Sequence, residues 1–238
     1  MKNVLEVRGL AAGYAGRPVV HDVDIEVGAG EVVSLLGSNG AGKTTTLLAT
    51  AGELPAMRGE VVLNGAATSA PLHRRVRDGL GFVTEERSVF KGLSGRDNLR
   101  CGGVSPEEAI ELFPELERVM DRRAGLMSGG EQQMLTLARA LARKPRLLLA
   151  DELSLGLAPL VVTRLLKAVR HAADEYGTGI LMVEQHARKA LRFADRVYVM
   201  RRGRIEMTAT AAEAGERFVE IEAAYLSTHV PEEAADQP

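Results

Sequence analysis

What this chain lacks narrows its chemistry first. Among 238 residues there is no tryptophan, and Cys101 is the only cysteine. One thiol cannot close an intrachain disulfide, so the fold must stand on an apolar core, and the composition fits a reducing compartment. Cys101 itself reads as an ordinary buried or loop thiol. Aromatic residues make up 4% of the chain, so each ring merits separate attention. No apolar run reaches the about 18 to 20 residues needed to cross a bilayer, and Lys2, Glu6 and Arg8 interrupt the apolar stretch that a signal peptide would require. Any membrane role is therefore expected to come through a partner. A net charge of −2 argues against a nucleic-acid binder held by charge. The short basic run His73-Arg74-Arg75-Val76-Arg77 reads as a solvated helix face.

Hydrophobic residues are 45% of the chain, enough to build one large domain or a domain with a subdomain. The organising stretch is Gly37-Ser38-Asn39-Gly40-Ala41-Gly42-Lys43-Thr44, which follows the apolar run Val32-Val33-Ser34-Leu35-Leu36 and leads into Thr45 and Leu47. Strand, glycine-rich turn and helix are the context that turns this spacing into a phosphate-binding loop. Glycines let consecutive backbone N–H groups curl around phosphate oxygens, and the helix adds its positive N-terminal end. Lys43 would reach the β- and γ-phosphates, and the Thr44 hydroxyl would take a place on Mg²⁺. The chain is therefore expected to bind a nucleoside triphosphate.

Before this loop, the alternation of Val4, Leu5, Glu6, Val7 and Arg8 predicts a strand with a turn at Ala12-Gly13, and Val19 to Val27 predicts a second. Tyr14 lies between them, either as a plug in a small antiparallel sheet or as a ring stacked on a nucleotide base. After the loop, strands are predicted at residues 59–63 and 80–83, the first turning at Asn64-Gly65. Charged, helix-favouring residues then dominate from Leu93 to Arg123, with Ser105 an N-cap before Pro106 at the first helical position. Ser128 and Glu131 fit a capping box for a helix carrying Met134, Leu137, Ala138 and Leu141 on one face. Gly129 and Gly130 directly after that cap each cost about 1 kcal/mol against alanine, which points to a ligand approaching bare N–H groups at a second anion-binding helix end. Leu147-Leu148-Leu149-Ala150 reads as a buried strand with Asp151 and Glu152 at its carboxyl edge, where ligands gather in open α/β sheets. Residues 160–176 predict a helix. A further strand at residues 180–183 runs into Glu184-Gln185-His186, followed by a closing hairpin and two short helices.

The phosphate loop, the Ser128-Gly129-Gly130-Glu131-Gln132 turn and the Leu147-to-Glu152 run, in that order, resemble the ATP-binding subunits of ABC transporters. Within them, Ser154-Leu155-Gly156-Leu157-Ala158-Pro159 and Val183-Glu184-Gln185 are similar to the subgroup that serves branched-chain amino acid importers and their amide or urea relatives. The resemblance implies an α/β phosphate-loop NTPase with a RecA-like parallel-sheet core, an N-terminal antiparallel β subdomain and a small inserted helical subdomain. The ATPase domain would span residues 1–228, the helical insertion about 88–143, and residues 229–238 would form a polar, acidic, disordered tail. Implied cofactors are ATP and Mg²⁺. Two cassettes, copies or paralogues, would sandwich each ATP between Gly37, Ser38, Asn39, Gly40, Ala41, Gly42, Lys43, Thr44 and Thr45 of one and Ser128, Gly129, Gly130 and Glu131 of the other. Tyr14 matches the ring that stacks on adenine. Thr44, Glu85 and Asp151 would serve the metal, Glu152 would orient or deprotonate the attacking water, and Gln185, with His186 as its rival, would contact the γ-phosphate.

Four departures from the wider family stand out. Glu85 takes the place of a glutamine, with Glu86 as an adjacent rival, Gln185 aligns with the family's switch histidine, Leu153 replaces a proline after the glutamate, and the helical insertion is short. The implied activity is ATP hydrolysis coupled to solute import at the cytoplasmic face of the cell membrane, through permease subunits and indirectly a solute-binding protein, with no nucleic acid involved. A soluble ABC-type ATPase and a weakly hydrolysing regulatory cassette are the alternatives.

Overall fold

The computed structural model describes residues 2–184 and 187–223. Strands β1 (Asn3–Tyr14) and β2 (Arg17–Gly28) form a long hairpin. The expected turn at Ala12-Gly13 lies instead at Ala15 (φ 50°) and Gly16 (φ 75°). Gly13 serves close strand approach, since a Cβ there would fall 2.0 Å from the Arg17 carbonyl oxygen. Strand β3 (Val32–Leu36) enters helix α1 (Lys43–Ala51). Strands β4 (Arg58–Leu63) and β5 (Ala66–Ala67) turn at Asn64 (φ 51°) and Gly65 (φ 84°), as their sequence predicts for a tight hairpin. Helix α2 (Leu72–Arg77) and strand β6 (Leu80–Val83) follow.

The helical stretch comprises α3 (Gly95–Cys101), α4 (Pro106–Leu112) and two 3₁₀ turns, Pro114–Val119 and Ala124–Leu126. Ser105 caps α4 with Pro106 inside it, and Glu108 completes a capping box. The remaining elements are α5 (Gly129–Leu141), β7 (Leu147–Asp151), α6 (Pro159–Tyr176), β8 (Gly179–Val183), α7 (Ala187–Ala190), β9 (Arg196–Arg201), β10 (Arg204–Thr210), α8 (Ala211–Glu216) and α9 (Phe218–Ile221). No helix among the described residues is long and apolar enough to cross a membrane.

Two sheets result. The first is antiparallel in the order β2-β1-β4-β5; the second runs β10-β9-β3-β8-β7-β6 and is parallel except for the β9–β10 hairpin. Its central strands are apolar on both faces, as a covered parallel sheet requires. Val33, Leu35, Leu149, Leu181 and Val183 pack with Leu5, Val7 and Ile25 of the first sheet. Their neighbours Val32, Leu36, Leu148, Ile180 and Met182 share a core with α5, α6 and the helical stretch, including Leu99, Phe113 and Leu137. The alternation places the carboxyl ends of β3, β6, β7 and β8 along one edge, between two packed layers.

Two further expectations, beside the hairpin turn, need correction. Cys101 ends α3 and is exposed rather than buried or in a loop. The basic run does not form a wholly solvated face, because Arg75 is buried at 5% exposure. Its guanidinium donates to the carbonyls of Ala70 (2.7 Å), Thr50 (2.6 Å) and Thr68 (3.2 Å). It thus caps the negative C-terminal end of α1, the helix that begins at the phosphate loop. Arg75→Met should leave those buried acceptors unmet and cost about 3 kcal/mol, read as a lower denaturation midpoint. Arg75→Lys should not restore it, because one ammonium cannot match the planar fork.

Candidate nucleotide site

The phosphate loop follows directly from β3. Gly42 is the N-cap of α1 with φ 108°, and no side chain caps that helix, so its first N–H groups stay available to an anion. A Cβ on Gly42 would fall 2.6 Å from Val20 Cγ1, and one on Gly37 would fall 2.4 Å from the Met200 carbonyl oxygen. The loop is thus wedged between β2 and β9 in a shape only glycine allows. Lys43 is 5% exposed, and its Nζ donates to the carbonyls of Gly37 (2.8 Å) and Ser38 (3.1 Å). Burial lowers its pKa, while the charges of Glu152 and Asp151 oppose that shift.

Asp151 ends β7 and is buried, with the Thr44 side chain close enough to its carboxyl to favour the ionised form. Its Oδ1 has no partner among the described residues. Burial lifts this carboxyl to about 6, opposed by the nearby Thr44 side chain and helped by Glu152 and Glu85. An ionisable oxygen without a partner, next to a hydroxyl, suits a hard cation. Among the described residues no group of three or more His, Cys, Asp or Glu could hold a metal alone.

The raised Asp151 value carries a stability consequence. The folded protein holds this proton more tightly than the unfolded chain, so the stability it contributes is present below about pH 4 and is lost as pH rises through about 6. Asp151→Asn should therefore raise the melting temperature of the nucleotide-free protein at pH 8 and change it little at pH 4. Thermal scans at the two pH values check this.

Glu152 has φ 45°, a conformation few non-glycine residues adopt, and its N–H donates to the Val183 carbonyl at 2.9 Å. Leu153, which replaces the expected proline, is 1% exposed and packs into the α5–α6 core. Side-chain burial thus anchors the backbone where ring rigidity is absent. A cavity of about 350 Å³ gathers Asn39, Lys43, Thr44, Glu85, Glu152 and Leu155. Glu85 borders it and Glu86 does not; the Glu86 carbonyl instead accepts from the Thr84 hydroxyl at 2.7 Å. Tyr14, 51% exposed at the end of β1, is not a plug in the sheet. Gln185 and His186 lie outside the described residues.

Residues 128–131 are absent from this cavity. The capping box forms as predicted: the Ser128 hydroxyl accepts from the Glu131 N–H (3.3 Å), and the Glu131 carboxylate accepts from the Ser128 N–H (2.7 Å). Burial raises the Glu131 pKa, but that cap with Arg122 and Arg118 outweighs it and holds the group low. Glu131 is therefore occupied as a cap. The two glycines also serve their own chain: a Cβ on Gly129 would meet the Arg87 guanidinium at 2.9 Å, and one on Gly130 would meet Val161 at 3.2 Å.

Comparison with known proteins agrees with this architecture. The family profile described as ABC transporter matches residues 20–154. The high-affinity branched-chain amino acid transport ATP-binding protein BraG of Pseudomonas aeruginosa is 42% identical over 84% of this chain and 89% of its own length. The lipopolysaccharide export system ATP-binding protein LptB of Escherichia coli is 36% identical over 88% of this chain and 91% of its own length. Among solved structures, the dimeric bacterial ABC transporter cassette MJ0796 superposes with a TM-score of 0.78 at 24% identity, covering 87% of this chain and 98% of that one. A glycine loop wedged open for phosphate, a buried carboxylate aligned with its threonine and a match across 20–154 lead to one assignment: this chain belongs to the ABC transporter family, as an ATP-hydrolysing ATP-binding subunit.

Proposed function

We propose that this subunit drives import of branched-chain amino acids or related amides, working as a cassette dimer on the cytoplasmic face of a cell membrane. One observation carries the dimer: the Ser128 turn lies outside the cavity that gathers Lys43, Glu85 and Glu152. A single chain therefore presents two half-sites, and a second cassette, this chain or a paralogue, would complete each. Residues 1–228 would act as one ATPase domain. In the sandwich, Lys43 and the α1 N–H groups neutralise the triphosphate, and Tyr14 stacks on the base. Thr44, Asp151 and Glu85 would hold Mg²⁺, which supplies charge neutralisation at the phosphates. Glu152 orients the attacking water and draws its proton, and Gln185 contacts the γ-phosphate. Because phosphoryl transfer is mostly positioning and charge neutralisation, the strained φ of Glu152 matters more than its acidity.

A groove of about 650 Å³, lined by Leu72, Phe82, Ser88, Arg139 and Arg143 among others, supports docking of a permease helix beside the Glu85 loop. The name of BraG, a branched-chain amino acid transport ATP-binding protein, supports an amino-acid cargo, and an import system would add a solute-binding protein. The name of LptB favours a second possibility, lipopolysaccharide-type export. Reconstitution with candidate permease subunits separates them. ATP-dependent leucine uptake into vesicles is the expected result, and transport of an acylated glycolipid without amino-acid uptake would reverse the assignment.

A further inference from the structure

Glu184 follows β8 and is 2% exposed. One of its oxygens accepts from the Ser154 hydroxyl at 2.6 Å, and Ser154 is itself 4% exposed. The other oxygen has no partner among the described residues. Burial pushes this carboxyl up to about 7, opposed by the Ser154 hydrogen bond and reinforced by the charge of Glu152. A leucine would fill such a place at lower cost, so stability alone does not account for a carboxyl here.

Its contact shows what it does. Ser154 lies two residues after Glu152 and directly before Leu155, and both of those border the nucleotide cavity. The Glu152 N–H already binds the Val183 carbonyl at 2.9 Å. The end of β8 thus grips the 152–154 segment twice, by backbone at Val183 and by side chain at Glu184. Leu153, between them in the chain, is buried in the core. Glu184 also directly precedes Gln185 in the chain.

We propose that Glu184 is a positioning residue. Through Ser154 it holds the loop that carries Glu152 in its left-handed backbone conformation and ties that loop to the segment entering Gln185. The proposal rests on the assignment of Glu152 as the residue that orients water. Its physical content is a hydrogen bond between two loops, and either a carboxyl or an amide at 184 can accept it.

Steady-state ATP hydrolysis by the full chain tests this with Glu184→Gln, Glu184→Leu, Ser154→Ala and the Ser154→Ala/Glu184→Leu double variant, beside Glu152→Gln. Glu184→Gln should stay within about twofold of wild type. Glu184→Leu and Ser154→Ala should each lose about tenfold in kcat with KM for ATP within about twofold, because a displaced catalytic loop slows chemistry more than binding. The double variant should be no slower than the slower single variant, since both remove one contact. The melting temperature of Glu184→Leu should equal or exceed that of wild type, which a merely structural role would not allow. Wild-type kcat in Glu184→Leu or Ser154→Ala, or additive losses in the double variant, overturn the proposal. If Glu184→Leu does not fold, Ser154→Ala against Glu184→Gln decides alone. Full activity in Glu152→Gln would instead sink the underlying site assignment, whatever Glu184 does.

Discussion

Glu152→Gln should bind ATP as tightly as the natural protein and hydrolyse it at least about a hundredfold more slowly. Glutamine keeps the volume, the backbone contact to Val183 at 2.9 Å and one oxygen that can orient water. It loses the ability to draw a proton from that water as the phosphoryl bond breaks. Binding is expected to survive because, in the proposed sandwich, residues 37–45 of one cassette and the Ser128 turn of another would hold the triphosphate. ATP should then accumulate in the sandwich, so that size-exclusion chromatography with ATP shows a dimer and without ATP a monomer. Turnover equal to wild type would remove Glu152 from the chemistry. Loss of both binding and turnover would make it a binding residue instead.

Lys43→Ala should weaken ATP binding by about a hundredfold, or roughly 2.7 kcal/mol. The ammonium is the only cation bordering the nucleotide cavity among the described residues, and at 5% exposure its attraction to phosphate is little screened. A second readout is independent of nucleotide. Lys43 also satisfies the Gly37 and Ser38 carbonyls at 2.8 and 3.1 Å, so its removal should lower the stability of the nucleotide-free protein by about 1 to 2 kcal/mol. Lys43→Arg should recover neither property, because the wider guanidinium does not fit the loop interior. Isothermal titration and a denaturant series measure the two effects. An unchanged ATP affinity would displace Lys43 from the phosphate site.

Much of the fold was legible because its signals are local. The Asn64-Gly65 turn, the Ser128–Glu131 capping box and the Ser105-Pro106 helix start each depend on residues within four positions. The hairpin turn is not legible in the same way, because Gly13 carries the mark of a turn but is needed for close strand approach. The role of Arg75 is hidden from charge composition, which cannot show which guanidinium finds helix-end carbonyls 20 or more positions away. How Leu153 anchors its loop in place of the family's proline depends on side-chain burial, which only packing decides.

The order of residues by itself determined the phosphate loop, the two capped helix ends and the continuous apolar runs that make a strand apolar on both faces. Those properties follow from backbone sterics and from hydrogen bonds that close within a turn. Tertiary structure alone decided that Thr44, Glu85, Asp151 and Glu152 meet, that the Ser128 turn does not join them, and that Ser154 finds Glu184. Parallel strands connect through long crossovers, so neighbours along the edge of the β3-β8-β7-β6 sheet come from distant parts of the chain. Burial at that edge then decides which carboxylates keep a free oxygen.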